Sequence, residues 1–238
     1  MVFLKLNKTQ KSKKQLSIGG FPSNSLFEFN PEIYVSINQE YKKYYSTKHR
    51  YTNIQFTSVL EDIFFSGCYL GVDNKKTKLA SMISTGKNEE NIEIILKIAK
   101  CISPSLNSII KENKIEYIAF IPPTKIRKVQ FIDVIRSALE LNLVNIELKK
   151  CNLTQKQAEQ KSLRDYASRY ANAKDSIILT DPNLKINGNV LIFDDVVETG
   201  VSVNECANII DKFAITEIKI FGYAIVLNQG GVDCICDI

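Results

Sequence analysis

The most constraining feature is an apolar run, Val190-Leu191-Ile192-Phe193, that ends on two adjacent carboxylates, Asp194 and Asp195. A run with no polar alternation reads as a strand buried on both faces, as the strands of parallel, helix-covered sheets are. Two like charges at its end repel, so a cationic or hydroxylic partner is expected beside them. Ligands of open α/β sheets bind beyond the carboxyl ends of the strands, which is where both aspartates fall. The chain then runs through Val196-Val197-Glu198-Thr199-Gly200-Val201-Ser202 into a helical pattern ending near Phe213. Gly200 permits a tight turn, and the N–H groups from Thr199 to Ser202 would face an anion at a helix start. The Thr199 and Ser202 hydroxyls add donors suited to phosphate. A sugar bearing a phosphate satisfies both halves: diol on the carboxylates, phosphate in the loop.

The surrounding pattern agrees with a parallel sheet. Residues 115–121 read as a strand stopped by Pro122-Pro123, and Phe131, Ile132, Val134, Ile135, Ala138 and Leu139 mark an amphipathic helix. Residues 144–148 read as a second strand, 176–179 as a short apolar run, and 217–227 as a strand ended by Gln229-Gly230-Gly231. Upstream, Ile92, Ile95, Leu96, Ile98 and Ala99 share one helical face, and Ser103-Pro104 is the expected stop. Strands alternating with helices predict an α/β domain over residues 76–238, a parallel sheet flanked by helices. Residues 1–75 instead show short alternating stretches at 32–37 and 53–59, which predicts a small, mainly β N-terminal part. Residues 73–78 read as the polar linker between them.

The Asp194–Asp195 segment resembles the phosphoribosyl-pyrophosphate (PRPP) motif of type I phosphoribosyltransferases. That motif has an apolar strand, two acids, two apolar residues, a variable residue, Thr-Gly, one more residue, then Thr or Ser. The resemblance implies that family's fold and a transferase that exchanges pyrophosphate on C1 of the ribose for a nitrogenous base or amine, with Mg²⁺ as cofactor. It implies that Asp194 and Asp195 bind the ribose hydroxyls and that Thr199, Gly200, Val201 and Ser202 cradle the 5′-phosphate. Asp194, Asp195 and Glu198 are then the catalytic candidates, placed to stabilise positive charge on the sugar. Glu198 stands where many members carry Thr or Ala and the hypoxanthine-guanine type carries Asp. It reads either as a general base or as a solvated acid at a helix start.

Residues 118–128 resemble the strand and Pro-containing loop that these enzymes set against pyrophosphate, and are closest to the ComF-type, competence-associated branch. Pro123, Thr124, Lys125, Arg127 and Lys128 are therefore the expected pyrophosphate ligands, with a solvated basic turn as the alternative. Thr154-Gln155-Lys156-Gln157 and Arg169-Tyr170-Ala171-Asn172 resemble ComF patterns within a flap, which makes Lys161, Arg164 and Arg169 flap cations. The branch's Arg-Gly-Phe-Asn-Gln signature and its cysteine zinc ribbon are both missing. The likeness covers residues 78–228. A non-catalytic ComF-like role in DNA uptake, or in another single-stranded nucleic acid process, is the alternative.

Residues 41–51 hold four of the ten tyrosines with Lys42, Lys43, Lys48 and Arg50 between them and no acid. This is the composition of a single-stranded nucleic acid groove, and equally of an exposed amphipathic hairpin. The net charge of +5 comes from Lys5, Lys8, Lys11, Lys13 and Lys14 in an acid-free N-terminal tail; elsewhere basic and acidic residues balance. With 45% hydrophobic and 24% charged residues in 238, the composition excludes a disordered or fibrous chain. No apolar run approaches the roughly 18 residues of a membrane helix, and the N-terminus turns lysine-rich, so a cytoplasmic protein with no membrane partner is expected. Six cysteines with no Cys-x-x-Cys pair, and one histidine, show no zinc-site spacing and predict no metal site built from the chain alone.

Overall fold

A computed structural model describes residues 35–36, 59–69, 75–151, 176–198 and 200–228. In chain order the elements are β1 (Val35–Ser36), β2 (Leu60–Cys68), α1 (Lys78–Asn88), α2 (Ile92–Glu112), β3 (Ile115–Phe120) and α3 (Phe131–Leu139). They continue with β4 (Val144–Ile146), β5 (Leu148–Lys150), β6 (Ile177–Leu179), β7 (Asn189–Val197), α4 (Val201–Asp211) and β8 (Ile220–Leu227).

Six strands form one sheet in the order β1-β2-β8-β7-β3-β4. β2, β8, β7, β3 and β4 are mutually parallel, and β1 lies antiparallel on β2. Along β7, Leu191 and Phe193 pack against one face with α1, α2 and α3, and Val190 and Ile192 against the other with α4. Both faces are covered, which is why the strand carries an unbroken apolar run. The expected α/β architecture, a parallel sheet flanked by helices, is the one observed. Phe120, Phe193 and Tyr223 line up across β3, β7 and β8 with ring centroids 5.2 Å apart at each step. Truncating a fully buried ring such as Phe193 would cost about 3–5 kcal/mol.

Four features differ from the sequence expectation. β2 spans residues 60–68, beyond the expected stretch at 53–59, and it joins the main sheet through pairs such as Ile63 with Gly222. The sheet therefore takes in residues on both sides of the expected boundary at residue 75. Pro104 does not stop α2 but lies inside it. Its position is exposed, so the carbonyl left without a partner can meet water, and Ile102, Leu106 and Ile109 keep the helix anchored on either side. Ile92 and Leu96 are 48% and 45% exposed, because the buried face runs through Ile95, Ile98, Ala99 and Ile102. The strand expected at 144–148 divides at Glu147: β4 stays in the main sheet, and β5 turns to pair antiparallel with β6. Leu148, Ile177 and Leu179 then pack into the core on the α4 side.

Candidate functional site

β3 and β7 are neighbours whose next partners lie on opposite sides, β4 beyond β3 and β8 beyond β7. The chain goes outward from β3 to β4 and later returns to the other side of β3, so the crevice between the ends of β3 and β7 is a switch point of the topology. A cleft of about 550 Å³ opens there. From β7 and its loop it is lined by Asp194, Asp195, Glu198, Gly200, Val201 and Ser202. From the loop after β3 it is lined by Pro123, Thr124, Lys125 and Arg127. Two segments some seventy positions apart in the chain thus face one another because their strands are paired, Phe120 beside Phe193.

Each loop is held by specific bonds. The N–H of Ile121 donates to the carbonyl of Phe193 over 3.0 Å, which carries the β3–β7 pairing one residue past the strand. The Gln130 side-chain amide donates to the Lys125 carbonyl over 3.1 Å, and the Val129 N–H donates to Glu90 Oε2 over 2.9 Å. Across the cleft, Gly200 is the N-cap of α4 with φ 69°, a left-handed conformation that glycine adopts without steric cost. The first intrahelical bond runs from the Asn204 N–H to the Gly200 carbonyl over 2.9 Å. The N–H groups of the preceding helical residues have no partner within the helix and form its positive end.

The acidic end is electrostatically unusual. Asp194 Oδ1 accepts the Asp195 N–H over 2.8 Å. Burial, and after it the adjacent Asp195 carboxylate, push the Asp194 carboxyl up to about 7, with Lys87 and Lys150 pulling the other way. Lys87 Nζ forms an ion pair with Asp195 Oδ2. Lys150 Nζ donates to Thr124 Oγ1 over 2.9 Å, and burial lowers the Lys150 pKa, partly offset by Asp194. Cys206 on α4 is fully buried, and burial together with Asp194 raises its thiol pKa. It is a core side chain with no chemistry to offer.

The expected residues divide as follows. Ten of them line the cleft: Pro123, Thr124, Lys125, Arg127, Asp194, Asp195, Glu198, Gly200, Val201 and Ser202. Lys128 is exposed and does not line it. Thr199, the expected flap cations Lys161, Arg164 and Arg169, and the tyrosine-rich stretch 41–51 lie outside the described residues. The structure adds Lys87, Lys150, Tyr69, Phe131 and Asn228 to the lining. Of these, Phe131 is legible in the sequence as part of a helical face; the two lysines carry no local signal and arrive through α1 and through β5, which pairs with β6.

No protein family description matches the sequence, and no curated protein matches it. Solved structures do resemble it. An adenine phosphoribosyltransferase shares 18% identity over 62% of this chain and 75% of its own, with a TM-score of 0.38. Adenine phosphoribosyltransferase from Leishmania tarentolae shares 8% identity over 77% of this chain and 97% of its own, with a TM-score of 0.34. Among the described residues no helix is long and apolar enough to cross a membrane.

Proposed function

We propose that the cleft binds PRPP and that the chain transfers the phosphoribosyl group between pyrophosphate and a nitrogenous base or amine. One observation carries this reading: paired carboxylates at the end of β7, the glycine-capped start of α4 and the basic loop after β3 all line one cleft. Asp194 and Asp195 accept the ribose 2′ and 3′ hydroxyls. The backbone of residues 199–202 takes the 5′-phosphate, drawn by the helix start. Lys125 and Arg127 take the pyrophosphate, with Arg127 able to offer a bidentate contact. As the bond from C1 to pyrophosphate breaks, positive charge develops on the sugar, and the carboxylates facing it lower that barrier. Glu198 shares the cleft and serves as acceptor for a proton from the attacking nitrogen.

Mg²⁺ suits the same cleft. No three His, Cys, Asp or Glu side chains among the described residues converge to hold a metal by themselves. The donor set fits an ion that arrives on pyrophosphate oxygens and keeps its waters, as Mg²⁺ does. When bound it neutralises charge on the leaving pyrophosphate, and Asp194 and Asp195 would face its water shell.

The test is incubation with PRPP, Mg²⁺ and a panel of bases and amines, with pyrophosphate release as the readout. Release that depends on one acceptor supports the reading. No release with any acceptor, together with no PRPP binding by calorimetry, overturns it.

A further inference from the structure

Lys87 is absent from every motif in the sequence, yet its ammonium meets the carboxylate assigned to the ribose diol. It sits in the last turn of α1, where a cation is favoured by the helix dipole. It is brought there by close packing: a Cβ on Gly86 would come 3.0 Å from Ile95 and 3.4 Å from the Phe131 ring. The bare backbone lets α1 approach both neighbours. Lys87 and Asp195 keep only 18% and 15% of their side-chain exposure, so solvent screens the pair poorly. The ammonium also stands 5.5 Å from the centroid of the Phe131 ring, a second and weaker perch.

The ammonium on Asp195 Oδ2 fixes the orientation of the carboxylate and draws on its lone pairs, so a hydroxyl that seeks the same oxygen meets a weakened acceptor. A neutral diol that displaces Lys87 leaves the ammonium without an anion in a partly buried cleft, an unfavourable exchange. A ligand that brings its own anionic groups into the cleft supplies the replacement partner. Resting on the reading above, we propose that Lys87 is a positioning residue that sets ligand class: it holds Asp195 in the empty cleft and passes to the ligand's diphosphate when the diol takes Asp195. The cleft then selects a sugar carrying a diphosphate over one carrying only a monophosphate.

The experiment is calorimetry with PRPP and with ribose 5-phosphate, at one ionic strength, on the wild type, Lys87→Met and Lys87→Arg. In Lys87→Met the affinity for PRPP is expected to fall about tenfold or more, the loss of one charge-assisted contact. Affinity for ribose 5-phosphate is expected to hold or rise, because its competitor for Asp195 is gone. The preference between the two ligands therefore collapses, and Lys87→Arg restores it. Should Lys87→Met fail to fold by thermal melt, Lys87→Gln replaces it in the same measurement. An unchanged preference in the neutral variant, including an equal loss for both ligands, overturns the proposal. Wild-type protein that binds neither ligand overturns the functional reading and this inference with it.

Discussion

The two strands at the centre of the sheet are built alike and end in opposite ways. β3 and β7 run parallel, are paired in steady register from Tyr117 with Val190 to Phe120 with Phe193, and bury Phe120 and Phe193 against the same helical layer. Past those rings β3 runs into Pro122-Pro123-Thr124-Lys125-Ile126-Arg127, with cations and a rigid backbone, while β7 runs into Asp194-Asp195. Burial on both faces favours apolar side chains, so the two strands converge in composition where they are buried. They diverge where they emerge, one step apart, into the same cleft. The contrast fits a ligand with a hydroxylated, incipiently cationic part and a polyanionic part.

Removing the acidic half is expected to have the largest effect. Asp195→Asn takes a charged acceptor from the diol; at roughly 1.5–3 kcal/mol for a hydrogen bond to a charged group, PRPP affinity should fall about ten- to a hundredfold. Unchanged affinity by calorimetry would remove Asp195 from the site. Gly200→Ala comes next. At φ 69° a Cβ costs about 1–2 kcal/mol, and the methyl group crowds the anion loop. Binding of ribose 5-phosphate should weaken about tenfold or more, and a variant that binds normally would place the phosphate elsewhere.

On the basic side, Arg127→Ala should weaken pyrophosphate binding about tenfold while leaving ribose 5-phosphate nearly unaffected. Its loss should also flatten the salt dependence of pyrophosphate affinity, measured by titration at several ionic strengths. The smallest effect expected is on pH. With the Asp194 carboxyl up at about 7 in the folded chain, it is neutral below that value and a full acceptor above it. PRPP affinity should therefore rise between pH 6 and 8. The fold itself responds in the opposite sense: the native state binds the proton more tightly than the unfolded chain, so stability from this group falls as pH rises from about 4 towards 7. Asp194→Asn should flatten both profiles, as read by calorimetry and by denaturant unfolding.

The parts of the site that a reader of the sequence can find share one property: they are contiguous. Val190–Ser202 announces strand, acids, glycine and helix within one segment, and Pro122–Arg127 does nearly the same. Lys87 and Lys150 are ordinary lysines in ordinary helical and strand contexts. Their place depends on helix packing around Gly86 and on the register of β5 against β6, which no local pattern encodes. β2 is not legible in the sequence because Glu61, Asp62, Ser66 and Gly67 interrupt its apolar residues, although Asp62 and Ser66 are buried in the structure. Asp62 Oδ1 accepts the Ile63 N–H, and Ser66 Oγ meets the Tyr223 hydroxyl at 2.5 Å, so neither polar group is wasted. Pro104 is the converse case, a helix-stop signal that does not stop the helix, since packing on both sides outweighs one lost hydrogen bond on an exposed face.

The order of the strands also has a consequence for biosynthesis. β8, the last described strand, lies between β7 and β2, the first long one. Until residues 220–227 have left the ribosome, β2 has no parallel neighbour to pair with and β7 has an open edge. A nascent chain must therefore hold the β8-facing edge of Leu60–Cys68 open through the synthesis of more than a hundred and fifty residues, and the sheet closes by insertion of a strand into its middle. Shortening the chain ahead of Ile220 would strand its beginning as well as its end.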